Sequence, residues 1–363
     1  MKIAIIGHLK HPISRPYHGG LEMFTHAYVR DLVDRGHDVT LFASGDSDPS
    51  LPLQPIVAKS TVEDSIDRFG RVDHQYVEGF EDEAYANLMA RLSKSNFDVI
   101  HNHSISPVPL QFASVLPKPM VTTLHVPVLD RLRSVLRNRG SYRCGEFINI
   151  SYSNATAWAD LLPHQDVIHN GVDCEFWNHC GGPRQRRAVW FGRIHPDKGT
   201  AVAIDAAHAA GLPIDVIGPP SDRAYFDREV TPRLESSDVY HGLCSHKEIC
   251  GIVGSASVAM ITPCWDEPFG LVVAEALACG TPVAAFGRGA IGEILTDDVG
   301  RVIQPGNVAS LAHGALQCLR LNSHDCRQHA RENFSLSSMM SKYESYYEAM
   351  QTPATVNRST MVA

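Results

Sequence analysis

Residues 1–43, MKIAIIGHLKHPISRPYHGGLEMFTHAYVRDLVDRGHDVTLFA, contain a strand, a loop, a helix and a second strand in that order. Lys2–Ile6 is a short apolar run, Leu21–Arg35 repeats its apolar residues at helical spacing, and Asp38–Ala43 returns to a nearly continuous apolar run. A strand with apolar side chains on both faces is covered on both faces, as parallel strands joined by crossover helices are. The rhythm continues outward at Asp98–His101 (DVIH), Met120–Leu124 (MVTTL) and Phe147–Ser151 (FINIS). It predicts an α/β, doubly wound sheet.

Around Asn170–Arg187 (NGVDCEFWNHCGGPRQRR) the rhythm stops, and its glycines, proline and arginines read as a linker. It resumes with Ala188–Phe191 (AVWF), a helix over about Thr200–Ala210, Ile214–Ile217 (IDVI), Val258–Ile261 (VAMI) and Pro282–Phe286 (PVAAF). The expected organisation is a first α/β domain over residues 1–168 and a second over 169–335. A final helix over 336–350 follows, with Met340, Tyr343, Tyr346 and Tyr347 on one face that must dock, and then a loose tail over 351–363.

Composition narrows the function classes. With 363 residues, 44% hydrophobic and 20% charged, the chain has material for two cores and none of the bias of a disordered segment. A net charge of −8 and a pI near 6.2 argue against nucleic acid as a partner, so any phosphate must be gripped locally. Nine cysteines, without a C-x-x-C pair, make a disulfide framework or a zinc cluster unexpected. The apolar run Ile3–Ile6 is too short for a signal peptide, and no window has the length of a transmembrane segment. A cytoplasmic protein is expected.

Three loops hold residues suited to anionic or hydroxylated ligands. Gly7 follows the first strand, and Tyr17-His18-Gly19-Gly20 leads into a helix, where backbone N–H groups face an anion. The loop lacks both G-x-G-x-x-G and G-K-[ST]. In the second half, Gly192-Arg193-Ile194-His195-Pro196-Asp197-Lys198-Gly199 puts two cations at the C-terminal edge of a strand. Arg193 offers a planar fork and Lys198 a point charge. Further on, Glu267-Pro268-Phe269-Gly270-Leu271 opens a helix expected from about Leu271 to Ala278, which Gly280 ends. Glu275, one turn inside this apolar helix, needs a partner that a hydroxylated ligand could supply.

Over almost its entire length the sequence resembles the retaining family 4 glycosyltransferases of GT-B fold. The resemblance rests on His18-Gly19-Gly20-Leu21-Glu22, Ile168-His169-Asn170-Gly171-Val172-Asp173, Gly192-Arg193 with Lys198-Gly199, and the E-x7-E pair Glu267 and Glu275 followed by Gly280-Thr281-Pro282-Val283. It implies two Rossmann-like domains facing across a cleft, with the final helix crossing back to the N-terminal domain. A nucleotide-sugar donor would bind mainly to the C-terminal domain. Its diphosphate would lie between Arg193, Lys198, the amides of Phe269, Gly270 and Leu271, and the Gly19–Gly20 loop. Glu275 would hold the ribose hydroxyls, Glu267 those of the transferred sugar, and His125, after the strand VTTLH, would sit beside the donor sugar. His101 and His103, in DVIHNHS, are expected to line the cleft.

As the anomeric C–O bond breaks, negative charge grows on the diphosphate, so fixed cations and helix-end amides favour the transition state. Arg193 and Lys198 are the residues expected in that role; with Glu267 and His125, which the resemblance places at the donor sugar, they are the expected catalytic residues. No metal site and no cofactor are expected. The only Asp-x-Asp, Asp46-Ser47-Asp48, lies away from the diphosphate loops, and His8, His11, His18, His101, His103 and His125 are scattered over separate loops. The family implies retention, and no second carboxylate stands out as a nucleophile, which points to front-face substitution. UDP-glucose is the commonest donor to expect. The acceptor is a small molecule, a glycan or a lipid-linked hydroxyl; Val126–Ser141 is the one basic amphipathic stretch with the look of a membrane-facing helix. A GT-B sugar-nucleotide epimerase and a non-catalytic nucleotide-sugar-binding protein are the alternatives.

Overall fold

The structure, a computed structural model, describes residues 1–139, 144–178 and 181–351. The chain divides into two compact units. The first comprises Met1–Asn149, Ala157–Ile168 and the chain from Met340 on; the second comprises Ile150–Thr156 and His169–Met339. Ile150–Thr156, expected within the first domain, therefore groups with the second. The tail expected over 351–363 lies, apart from Gln351, outside the described residues.

In the first unit, β1 (Lys2–Ile6), β2 (Asp38–Ser44), β3 (Leu53–Val57), β4 (Val99–Asn102), β5 (Met120–Leu124), β6 (Glu146–Asn149) and β7 (Asp166–Val167) form one sheet in the order β3-β2-β1-β4-β5-β6-β7. Every pairing is parallel. In the second, β8 (Gln185–Phe191), β9 (Ile214–Ile217), β10 (Val239–Gly242), β11 (Ala256–Ile261), β12 (Val283–Phe286) and β13 (Gly300–Ile303) form a parallel sheet in the order β10-β9-β8-β11-β12-β13. In each sheet the chain starts in the middle, winds outward to one edge, then returns to build the other. Loops at that change of direction gather at the carboxyl ends of the central strands, where ligands bind in open α/β sheets.

The central strands are the predicted ones to within three residues. The four strands not predicted, β3, β7, β10 and β13, are the edge strands of the two sheets. An edge strand is half-solvated and need not be apolar throughout: β3 carries Gln54 and Pro55, and Val302 of β13 is 48% exposed.

On one face of the first sheet, α3 (His74–Leu92) packs Tyr85, Leu88 and Met89 onto Ile6, Phe42 and Ile100. The final helix, Leu336–Gln351, buries Met340, Tyr343 and Tyr347 completely. The Tyr347 hydroxyl meets both the Tyr28 hydroxyl and His101 Nδ1, and the Tyr343 hydroxyl lies 3.2 Å from Thr123 Oγ1. Burying an aromatic ring of this size is worth roughly 2–3 kcal/mol. Glu344 adds ion pairs to Arg35 and His37 from the exposed side.

The stretch expected to be a linker is packed structure over much of its length. Val172 exchanges hydrogen bonds with Phe334 and Leu336, and Val172, Cys174 and Trp177 are buried in the core of the second unit. Gly171 lies so close to the backbone of Ser335 and Leu336 that a Cβ there would come within 2.6–2.8 Å of it. The wet composition of the segment hid the three apolar residues that anchor it.

Candidate functional site

In the second unit the candidate residues sit on two loops, one after β8 and one after β11. β8 ends at Phe191, and just beyond it Gly192 and Ile194 donate to the carbonyls of Ile217 and Pro219. Arg193, between these anchors, is exposed and forms no hydrogen bond or ion pair among the described residues. The chain then makes a single turn, Pro196–Lys198, and reaches Gly199 at φ +67°, the cap of the helix Thr200–Ala209. A Cβ on Gly199 would lie 2.1 Å from the Thr262 carbonyl oxygen, and Thr262 Oγ1 donates to the carbonyl of Gly199 at 2.9 Å. Cys264 N also donates to the Asp197 carbonyl at 2.7 Å. The two loops are thus fixed to each other through their backbones.

That fixation brings Lys198 to Glu267. Lys198 Nζ and Glu267 Oε1 form an ion pair, the ammonium lies 4.9 Å from the centre of the Trp265 ring, and Trp265 Nε1 donates to the same Oε1 at 2.8 Å. The Glu267 carbonyl accepts from Ala290 N at 2.9 Å, and the Pro268 carbonyl from Ser151 Oγ at 2.6 Å. Gly289, at φ +60°, passes so near that a Cβ would be 2.2 Å from the Glu267 carbonyl oxygen.

Gly270, at φ +98°, turns the chain into the helix Leu271–Ala278. The amides of Gly270, Leu271 and Val272 form no hydrogen bond among the described residues, so the helix end presents open donors. One turn in, Glu275 is 5% exposed, and its carboxyl has no hydrogen bond or ion pair among the described residues. Burial pushes its carboxyl up to about 8. The helix ends at Gly280, φ +83°.

In the first unit, α1 (Gly20–Asp34) starts directly after Gly19, without a side-chain cap. Glu22 is buried, and burial favours its neutral form; the hydrogen bond to His8 Nε2, at 2.8 Å, together with the electrostatic influence of His8 and His11 and a backbone amide, outweighs that and holds the carboxyl below its usual range. His125 follows β5, with Nε2 2.9 Å from His103 Nδ1 and its ring 4.7 Å from that of Phe24. Burial, helped by the nearby His8, lowers its pKa to about 3, so the ring is neutral.

Several expectations change here. His101 and His103 are both fully buried rather than open to a cleft. His101 is held by Tyr347, Tyr28 and Thr123, an interior anchor for the final helix. The carboxylates of Asp46 and Asp48 are engaged by protein donors, Asp46 by Ser60 and Asp48 by His26 and Ser50. The histidines are not all scattered: His11 and His18 stack at 4.4 Å, with Glu63 beside them. The helix Asp130–Asn138 in the basic stretch buries Leu132 and Leu136, and Arg131 pairs with Asp82. Two residues of the Glu267 loop region had not been singled out. Trp265 stood in the run C-W-D-E-P as a ring next to a carboxylate. Arg288, in F-G-R-G after β12, approaches Asp266 at 3.8 Å and keeps a buried Nε without a partner.

No helix among the described residues is long and apolar enough to cross a membrane. Residues 18–176 match the family model Glycosyltransferase Family 4, and residues 183–334 match Glycosyl transferases group 1. The phosphatidyl-myo-inositol mannosyltransferase of Propionibacterium freudenreichii subsp. shermanii is 26% identical over 311 residues, covering 79% of each chain. The MMP alpha-(1->4)-mannosyltransferase of Mycolicibacterium hassiacum is 26% identical, covering 96% of this chain and 98% of that one. The solved structure of Anabaena Alr3699/HepE in complex with UDP shares the fold at 18% identity, with a TM-score of 0.75 over 96% of this chain and 100% of that one.

Proposed function

Because this chain belongs to the family 4, group 1 glycosyltransferases of GT-B fold, we propose that it moves a hexose from a nucleotide-diphosphate sugar to an acceptor hydroxyl with retention of configuration. The observation that carries this reading is the pairing of Lys198 with Glu267 on Trp265, beside the open amides that start the helix Leu271–Ala278.

Each group has a part. Arg193 and Lys198 take the diphosphate, and the amides of Gly270–Val272 add a preorganised positive end. As the anomeric bond breaks, these donors meet growing charge without reorganising, which lowers the barrier. Two cations and a helix end suffice for that charge, so diphosphate binding needs no metal. The Lys198–Glu267 pair loosens when the donor arrives: the ammonium turns to phosphate, and the Glu267 carboxylate accepts from sugar hydroxyls. Glu275, buried and without a partner, takes the two ribose hydroxyls, which repay the cost of its burial. Gly19 and Gly20 are assigned to the phosphates, where a side chain would block approach, and the neutral His125 to a sugar hydroxyl. The leaving diphosphate takes the acceptor proton in a front-face substitution.

UDP-glucose is the donor we favour; the UDP complex of the structural relative supports the base. The names of the two mannosyltransferase relatives favour a second reading, a mannosyl donor. The acceptor is a small-molecule, glycan or lipid-linked hydroxyl. Action in the cytoplasm is supported by eight free cysteines among the described residues. The test is turnover of UDP-glucose and GDP-mannose over an acceptor panel, with the product anomer read by NMR. An α-linked product from an α-linked donor supports the proposal; a β-linked one contradicts it.

A further inference from the structure

We propose that His11, His18 and Glu63 form a binding site for a divalent transition-metal ion of the zinc class, built wholly within the first unit. One ligand atom from each residue lies within 4.8 Å of the other two. An ion at the centre of such a triangle is at most about 2.8 Å from each corner, so each donor closes by less than about 1 Å to reach bonding distance. Two imidazoles and a carboxylate are the donor set of that ion class, with a fourth position left for water.

The three side chains are uncommitted where their neighbours are not. His8 is bonded to Glu22, Asp46 to Ser60, Asp48 to His26 and Glu81 to Thr61. His11, His18 and Glu63 form no hydrogen bond or ion pair among the described residues, and His11 Nδ1 is buried without a partner. A buried polar nitrogen of this kind destabilises the fold unless something satisfies it.

The backbone holding the ligands is already fixed. Thr61 N and Val62 N, which open α2 (Thr61–Phe69), donate to the carbonyls of Leu9 and Lys10, setting His11 against the helix turn that carries Glu63. Beyond His11, Ile13 N donates to Ser47 Oγ, and Asp48 N to the Ile13 carbonyl. The His11 and His18 rings lie stacked at 8° to each other. Because an imidazole lone pair lies in the ring plane, one ring must turn, and exposed His18 is free to do so. The bound ion would then tie the loop ending at Gly19–Gly20 to the start of α2.

The experiment is calorimetric titration of the EDTA-stripped, tag-free chain with Zn2+, and visible absorption with Co2+, for the wild type, His18→Gln, Glu63→Gln and Cys264→Ser. The expected result is one tight Zn2+ per chain, with affinity falling at least tenfold in His18→Gln and in Glu63→Gln but unchanged in Cys264→Ser. Circular dichroism of the two weakened variants should match the wild type. Absent Zn2+ binding, or equal affinity in wild type, His18→Gln and Glu63→Gln, would overturn the site. Both readouts are independent of sugar transfer, so they stand apart from the reading of the donor site.

Discussion

Lys198 and Glu267, sixty-nine positions apart, share one ion pair whose carboxylate oxygen also accepts from Trp265 Nε1. Both side chains are less than a quarter exposed. The pair holds a cation and an acceptor oriented at the carboxyl edge of the sheet. Lys198→Met removes the cation and leaves the Glu267 carboxylate with only the indole. The expected outcome is a loss in kcat of about 10²–10³, the range for deleting one transition-state donor. Steady-state kinetics against the preferred donor checks it. A loss confined to KM would mean that Lys198 binds the ground state and the transition state equally.

Glu267 is also held from behind. Gly289→Ala puts a methyl group within 2.2 Å of the Glu267 carbonyl oxygen, at a φ of +60° that side chains rarely adopt. The loop must shift, so the variant should lose at least tenfold in kcat/KM while remaining folded by circular dichroism. Gly292→Ala, where no heavy atom lies within 4 Å of the added methyl, should leave transfer near the wild-type rate.

Glu275 carries a pH-dependent stability cost. Its folded pKa, about 8, is above the ordinary 4.5. The folded state therefore holds a proton that the unfolded chain releases, and stability falls as pH rises from about 4.5 to 8. Glu275→Gln removes that dependence. Urea unfolding at about pH 5 and pH 8.5 should show the variant gaining on the wild type by on the order of 1–4 kcal/mol at the higher pH. Nucleotide affinity should fall about tenfold at the same time. An equal difference at both pH values would mean that Glu275 is ionised in the folded protein.

His125 is expected to act as a neutral ring. With its pKa lowered to about 3, it contributes no titration to the rate between about pH 5.5 and 8. Its effect on stability has the opposite sign to that of Glu275: the unfolded histidine takes up a proton near 6.5, so stability is lost as pH falls from there toward 3. His125→Gln, which keeps a hydrogen-bonding group, should retain more transfer than His125→Ala, with the same flat pH profile for both. A new inflection near pH 6.5 in the wild type, absent from both variants, would contradict this.

Tyr347→Phe tests the interior of the first unit. The change leaves the Tyr28 hydroxyl and His101 Nδ1 to pair with each other at 3.2 Å, so part of the network survives. The expected cost is about 1–2 kcal/mol in chemical unfolding, with no change in nucleotide binding.

The sheets were legible in the sequence wherever a strand is covered on both faces, because burial forces an unbroken apolar run such as Ile3–Ile6 or Val258–Ile261. They were illegible at the edges, where Pro55 and the exposed Val302 satisfy a strand without that run. The two loops of the candidate site were readable from their glycines: Gly199 and Gly270 adopt backbone angles that few other residues tolerate. Partnerships were not readable. Nothing local says that Lys198 meets Glu267, or that His101 turns inward to Tyr347 while its neighbour in DVIHNHS meets His125. Those contacts are set by strand order, which brings distant loops together.

The proposed site holds a diphosphate between Arg193, Lys198 and a helix end. Its most direct test is calorimetry of the purified chain with UDP, GDP and ADP, with and without EDTA, beside Arg193→Ala and Lys198→Ala. One nucleotide should bind selectively, with the same affinity in EDTA, and lose at least tenfold in each variant. Binding that persists unchanged in both variants, or that disappears in EDTA, would contradict the account.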